Sequence, residues 1–158
     1  LLQDLVDQIL QDARASASAK GIVVQRTGET EPLMVNVNRQ AIQQVIQNLV
    51  SNAVKFTEDG AVTVKLQRLG GEVPQVEVAV EDTGIGIPEP DLPKVFQRFY
   101  QVDATSTRQY MGTGLGLAIV KENLEAHHSQ IRVTSRVGHG SRFWFTLPLF
   151  QVKSSERS

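Results

Sequence analysis

The run Gly112-Thr-Gly-Leu-Gly-Leu-Ala118 constrains this chain more than any other stretch. Three glycines stand two apart, at 112, 114 and 116, and the chain then passes into an apolar helical pattern. Glycine at this density opens positive φ and lets the backbone approach another group closely. The helix that follows presents free N–H groups and a partial positive charge at its start. A polyphosphate suits such a junction, but turns and tight packing also use glycine, so the run needs companions.

Composition narrows the classes. A chain of 158 residues with 41% apolar residues fits one globular domain with its own core. Cysteine is absent, which excludes a disulfide framework and a thiolate metal site. A net charge of -1 speaks against a phosphate-backbone binder, so no nucleic-acid partner is expected. No apolar run reaches the roughly 18–20 residues a membrane span requires. The chain opens in mid-pattern at Leu1-Leu2, as a segment cut from a longer protein would.

Periodicity outlines the elements. Leu1, Leu2, Leu5, Val6, Ile9, Leu10 and Ala13 recur at helical spacing, and Gly21 is a stop. Ile22–Arg26 and Leu33–Val37 read as two strands around a polar turn at Thr27–Glu31. A second helix starts at the N-cap residue Asn38 and buries Ile42, Val45, Ile46, Leu49, Val50 and Ala53. Ala61–Arg68 alternates as a strand, Leu69–Pro74 is a hairpin connection, and Val76, Val78 and Val80 share one face of the next strand. Glu89–Val95 reads as a short helix. Gln101–Met111 is polar and aperiodic, as a mobile loop would be. A third helix covers Thr113–Ala126. Gln130–Ser135 and Ser141–Leu147 pair across Val137–Gly140, and Gln151–Ser158 is a polar tail. The expected class is α+β, a mixed, mostly antiparallel sheet with about three helices on one face.

Three segments accompany the glycine run. Asn48, Asn52 and Lys55 lie at i, i+4 and i+7, hence on one helix face. Glu81-Asp82-Thr-Gly84-Ile-Gly86-Ile87-Pro88 ends a strand, and Asp-Thr-Gly is also ordinary turn chemistry. Val95-Phe96-Gln-Arg98-Phe99-Tyr100-Gln-Val-Asp103 gathers aromatics around a cation, and an aromatic pair also simply fills core.

In this order and spacing the four segments resemble the N, G1, F and G2 boxes of sensor histidine kinases. The resemblance runs from the Leu1 helix to Pro148. It implies the catalytic ATP-binding domain of such a kinase, in the GHKL superfamily with its Bergerat fold, over residues 1–150. Residues 1–15 would lie near the junction to a dimerisation domain absent from this chain. The cofactors implied are ATP and Mg2+. By resemblance Asn52 is the principal magnesium ligand and Asn48 its support, and Lys55 meets a phosphate as a point charge. These three are the catalytic candidates. Asp82 would read the exocyclic amino group of adenine, since a carboxylate only accepts hydrogen bonds. Gly84 and Gly86 would pass beneath the base and Ile87 would touch it. Residues Gln101–Met111 would form the ATP lid. Arg98, Tyr100 and Arg108 are further nucleotide candidates, a solvated loop charge being the equal alternative for Arg108. Gly112, Thr113, Gly114, Leu115, Gly116 and Leu117 would form the phosphate cradle.

No phosphoacceptor is expected among His127, His128 and His139. His127 resembles a histidine that caps carbonyls at this helix end. His128 and Ser129 stand where the family has glycines. The resemblance further implies a homodimeric parent, a response regulator downstream, and a cytoplasmic domain without membrane contact of its own, whether or not the parent is anchored in the inner membrane. Two other classes stay open: a clamp ATPase like gyrase, mismatch-repair or heat-shock relatives, and a nucleotide sensor without transfer. In the clamps a Glu occupies the place of Asn48 as the base for water, and an amide takes no proton near neutral pH.

Overall fold

In the computed structural model, which describes residues 1–96 and 116–150, five strands form one mixed sheet in the order β1-β2-β3-β5-β4. The elements run α1 (Leu2–Lys20), β1 (Ile22–Gly28), α2 (Arg39–Phe56), β2 (Gly60–Leu69), β3 (Gln75–Asp82), a 3-10 turn (Glu89–Lys94), α3 (Gly116–Ala126), β4 (Arg132–Arg136) and β5 (Gly140–Pro148). β1 and β2 pair in parallel and are joined through α2; every other pairing is antiparallel.

Period-2 alternation divides the sheet into two faces. Val62, Val64 and Leu66, Val76, Val78 and Val80, and Phe143, Phe145 and Leu147 turn inward and are buried. The helices cover this face, with α2 between α1 and α3. The other face carries charge. Arg142 pairs with both Glu77 and Glu81 and lies 4.5 Å over the Trp144 ring, while Lys65 reaches Glu81 at 3.5 Å. The α+β sandwich expected from periodicity is the one observed.

Helix ends follow their local chemistry. Asn38 caps α2, its Oδ1 accepting the Ala41 N–H at 3.0 Å. Gly21 ends α1 in the left-handed region, φ 76°. The Lys20 ammonium then donates to the carbonyls of Val54 and Lys55 at 2.8 and 3.2 Å, closing the C-terminus of α2.

One expected strand is not a strand. Leu33–Val37 keeps only an isolated bridge, Val35 to Leu149, and β1 takes β2 as its partner. The backbone of this segment is divided between α1, which takes Leu33, and the chain after β5, where Phe150 N–H donates to Met34 O at 2.6 Å. Leu2 N–H donates to Leu33 O at 2.8 Å. The buried Gln3 amide accepts the Leu33 N–H at 3.0 Å and donates to Glu31 O at 2.7 Å. With Leu33 spent on α1, Met34 bonded to Phe150 and β1 paired with β2, the segment makes no hairpin ladder with β1. The short helix expected at Glu89–Val95 is a 3-10 turn containing Pro93. The loop Gln101–Met111, the start of the third helix at 113–115 and the tail Gln151–Ser158 lie outside the described residues.

His128 and Ser129 reproduce the turn that glycine would make. His128 N–H reaches Glu125 O at 3.0 Å and Ser129 N–H reaches Leu124 O at 2.8 Å, with His128 at φ 58°. These bonds form a Schellman ending whose left-handed position carries a side chain. His128→Gly is therefore expected to raise stability by about 0.5–1 kcal/mol, the strain relief outweighing glycine's added unfolded-state freedom. Urea unfolding of the two proteins checks this.

Candidate functional site

The amphipathic face of α2 sets one half of the site. Ile42, Val45, Ile46, Leu49, Val50, Ala53 and Val54 are buried, which turns Asn48 and Asn52 to the margin of the core and leaves Lys55 exposed. α3 runs antiparallel to α2. Its first residue, Gly116, lies against the two asparagines, with Asn48 Nδ2 donating to Gly116 O at 3.4 Å. A Cβ at Gly116 would stand 3.8 Å from Asn48 Cγ and 3.9 Å from Asn52 Nδ2. Further along, Asn123 Nδ2 donates to Gln44 Oε1 at 3.3 Å and to Ala41 O at 3.5 Å. Leu117 packs against the core, as a cradle residue offering only its backbone would.

β3 sets the other half. It delivers Asp82 beside β5, where Asp82 Oδ1 accepts the N–H of Gly84 at 2.9 Å and of Ser141 at 3.3 Å. Oδ2 takes no hydrogen bond among the described residues. Burial pushes the Asp82 carboxyl above the usual carboxylate range, and the two backbone donors offset part of that rise. Glycine is needed at Gly84 and Gly86 for different reasons. A Cβ at Gly84 would run into the Phe56 carbonyl at the end of α2; Gly86 has φ 77° and abuts the Arg136 carbonyl.

The loop after Asp82 is bolted on two sides. Ile85 N–H donates to Phe56 O at 3.1 Å, and Gly138 N–H donates to Ile85 O at 2.9 Å. Ile87 N–H donates to Ser135 Oγ at 2.7 Å. Ser135 Oγ in turn donates to Gly140 O at 2.9 Å and meets Ser141 Oγ at 2.7 Å. Thr83 Oγ1 accepts the Ala61 N–H at 3.1 Å. Phe96 docks edge-on to Phe143, centroids 6.1 Å apart, as an aromatic that fills core would.

Ser135, Ser141 and Thr83 escaped the reading of motifs. The strand alternation contained a signal: Ser135 and Ser141 occupy inward phases of β4 and β5, and a hydroxyl at an inward phase must find a partner. The structure brings together Asn48, Asn52 and Gly116, and separately Asp82, Gly84, Gly86 and Ile87. Arg98, Tyr100, Arg108, Gly112, Thr113, Gly114 and Leu115 lie outside the described residues. His127 does meet a carbonyl, Nδ1 to Asn123 O at 2.8 Å. Among the described residues no group of three His, Cys, Asp or Glu could hold a metal ion, and no helix is long and apolar enough to cross a membrane.

The family model described as histidine kinase-, DNA gyrase B-, and HSP90-like ATPase matches residues 37–151, which includes both halves of the site. The chain belongs to this family. Within it, the relatives are sensor kinases. The autoinducer 2 sensor kinase/phosphatase LuxQ of Vibrio cholerae is 38% identical over 157 residues, 98% of this chain and 18% of LuxQ. Sensor histidine kinase WalK of Bacillus subtilis is 45% identical over 117 residues, 73% of this chain and 19% of WalK. The chain thus spans less than a fifth of the length of these relatives. The catalytic domain of the histidine kinase ThkA, in a nucleotide-free form, superposes with TM-score 0.79 at 29% identity, covering 93% of this chain and 91% of that one. Full-length ShkA, in complex with AMPPNP, gives TM-score 0.81 at 28% identity, covering 98% of this chain and 31% of ShkA. The chain is accordingly the catalytic ATPase domain of a sensor histidine kinase of two-component signalling.

Asp82 carries a pH signature in the absence of ligand. Its native pKa is raised, so the native state holds this proton more tightly than the unfolded chain. The stability linked to the proton is complete below the unfolded value near 3.8 and is lost as pH rises through the native value. Asp82→Asn keeps an acceptor for Gly84 and Ser141 without the buried charge. The variant should match the wild type at low pH, gain on it as pH rises, and hold a constant advantage at neutral pH. Ligand-free denaturant midpoints across that range test this.

Proposed function

We propose that this domain binds Mg-ATP and presents the γ-phosphate to a histidine on the dimerisation domain of the same parent protein. The observation that carries the reading is the pair of amides, Asn48 and Asn52, gathered at the glycine that opens α3. Water has no base at this position. An imidazole acceptor needs none, because its neutral ring is already nucleophilic. In the transfer, the bond from the γ-phosphorus to the β–γ bridging oxygen breaks, a phosphorus–nitrogen bond forms, and ADP leaves.

Each half of the site has a task. Asp82 accepts from the adenine amino group through Oδ2, with Oδ1 already held by Gly84 and Ser141. Gly84, Gly86 and Ile87 line the base, and the hydrogen bonds that Ile85 N–H donates to Phe56 O and Ile87 N–H donates to Ser135 Oγ keep that wall in place. Asn48 and Asn52 offer hard amide oxygens, which suit a magnesium ion held mainly by phosphate and water; no carboxylate cluster competes among the described residues. The ion would neutralise phosphate charge. Lys55, exposed one turn beyond Asn52, adds a mobile cation. Phosphoryl transfer asks little more of a protein than alignment and charge balance. The segment 97–115 would supply Arg98, Tyr100, Arg108, Gly112, Thr113, Gly114 and Leu115 to the same nucleotide, with Gly116 and Leu117 completing the cradle.

The proposal extends to a homodimeric parent and a cytoplasmic site of action, and the sensor-kinase names of the relatives support a response regulator that takes the phosphoryl group. AMPPNP bound to ShkA supports ATP as the nucleotide.

Two binding measurements separate the halves. Asp82→Asn should weaken ATP binding about ten- to a hundredfold, the cost of one unmet buried polar group, while the protein stays folded. Asn52→Ala should chiefly abolish the magnesium dependence of binding and leave metal-free ADP affinity near the wild-type value. Calorimetry with and without magnesium reads both, and unchanged affinity would remove either assignment.

Transfer is tested with radiolabelled ATP. The chain alone should label none of His127, His128 and His139 and should hydrolyse ATP slowly. Adding the dimerisation domain in trans should yield an acid-labile phosphohistidine on that domain. Rapid hydrolysis by the isolated chain would favour a clamp ATPase instead.

A further inference from the structure

His127 joins two helix ends that have no covalent link near it. At the start of α2, Asn38 caps the Ala41 N–H, but its own N–H has no reciprocal acceptor in the helix. That acceptor is normally a Glu or Gln three residues on; here the position is Ala41, which cannot reach back. The Asn38 N–H donates instead to His127 Nε2 at 3.2 Å. At the end of α3, the His127 backbone N–H has tightened onto Leu124 O at 3.0 Å rather than bonding Asn123 O four residues back. The ring takes up that carbonyl, Nδ1 lying 2.8 Å from Asn123 O. Because Nε2 accepts a backbone N–H, Nδ1 must carry the proton and donate. One neutral ring in one tautomer thus satisfies an orphan group from each helix.

We infer that His127 is a positioning residue for the phosphate side of the site, fixing the axial register of α3 on α2 and so the place of Gly116 beside Asn48 and Asn52. The helices run antiparallel, and three contacts mark the register: Gly116 at Asn48, Asn123 at Ala41 and Gln44, and His127 at Asn38. The first and last are about 16 Å apart along α3, at 1.5 Å per residue. A helix of this length transmits a slide from one end to the other nearly undiminished. The cross-links between the two helices are of similar length, 3.2 Å at His127, 3.3–3.5 Å at Asn123 and 3.4 Å at Asn48, and among those described the His127 link is the one at the far end from Gly116, its ring also held to Asn123 O of its own helix at 2.8 Å. Asp82 lies on β3 and is held by β5 and its own loop, with no part in this clasp. The base and the phosphates should therefore respond differently when the clasp is broken.

The inference rests on the nucleotide reading above, and its test separates the two. His127→Gln retains an acceptor and a donor; His127→Leu retains the bulk and neither. Calorimetry on this chain, with adenosine and with magnesium AMPPNP, is expected to show adenosine affinity unchanged in both variants. Magnesium AMPPNP affinity should fall about five- to tenfold in His127→Leu, as for one lost hydrogen bond, and recover in His127→Gln. In ligand-free heteronuclear NMR, the side-chain amides of Asn48 and Asn52 should shift in His127→Leu and return in His127→Gln. Equal losses for both ligands, no loss for either, or unmoved amide signals would overturn the positioning role. A wild-type chain that binds neither ligand would instead overturn the nucleotide reading itself.

Discussion

The burial of one face of α2 is the constraint on which the rest of the structure depends. Seven apolar side chains of this helix are at most 6% exposed. They pack between the inner face of the sheet and the flanking helices α1 and α3. Burial on this scale stabilises by about 1.5–3 kcal/mol per large side chain, an upper estimate that conformational entropy largely offsets. Once that face is committed, Asn48 and Asn52 have a single place to be, at the seam with α3. The same commitment places the Phe56 carbonyl where the Gly84–Ile85 loop closes on it.

The two halves of the site are built by different physics. The side proposed for adenine is a polar scaffold in which backbone groups and three hydroxyls satisfy one another around the half-buried Asp82 carboxylate. Such a network holds its shape, since an unmet member in a region of low dielectric is costly. The side proposed for the phosphates is a contact between two helices, made by amides and a glycine, with long hydrogen bonds. Under the proposed function, a braced wall for the base and a looser helix seam for the phosphates suit a domain that must hold a nucleotide and then release a diphosphate. The raised pKa of Asp82 reflects the same division: desolvation is tolerated where a ligand donor would repay it.

Local chemistry made much of this legible in the amino-acid order. The 3.6-residue period from Ile42 to Ala53, the cap at Asn38, the stop at Gly21 and the alternation through Val76, Val78 and Val80 each depend on neighbours a few residues away, and each is found as read. The family likewise followed from short motifs whose spacing is local. The strand expected at Leu33–Val37 shows where that reasoning ends. Its β-prone residues are real, but the side chain of Gln3, thirty positions earlier, takes the Leu33 N–H, and Phe150 N–H takes Met34 O.

The sequence by itself determined most of the element types, the buried faces and the chemistry of the candidate residues, because periodicity, capping and turn preference act within a turn or two of chain. Tertiary structure alone decided which hydrogen bonds close between distant segments. Ser135 and Ser141 brace the loop after Asp82, and His127 completes a cap that begins 89 positions earlier at Asn38. Such bonds depend on where the packed core brings two backbones together. Neither partner's local pattern encodes that meeting, and so the motifs were legible while the bonds that tie distant segments together around them were not.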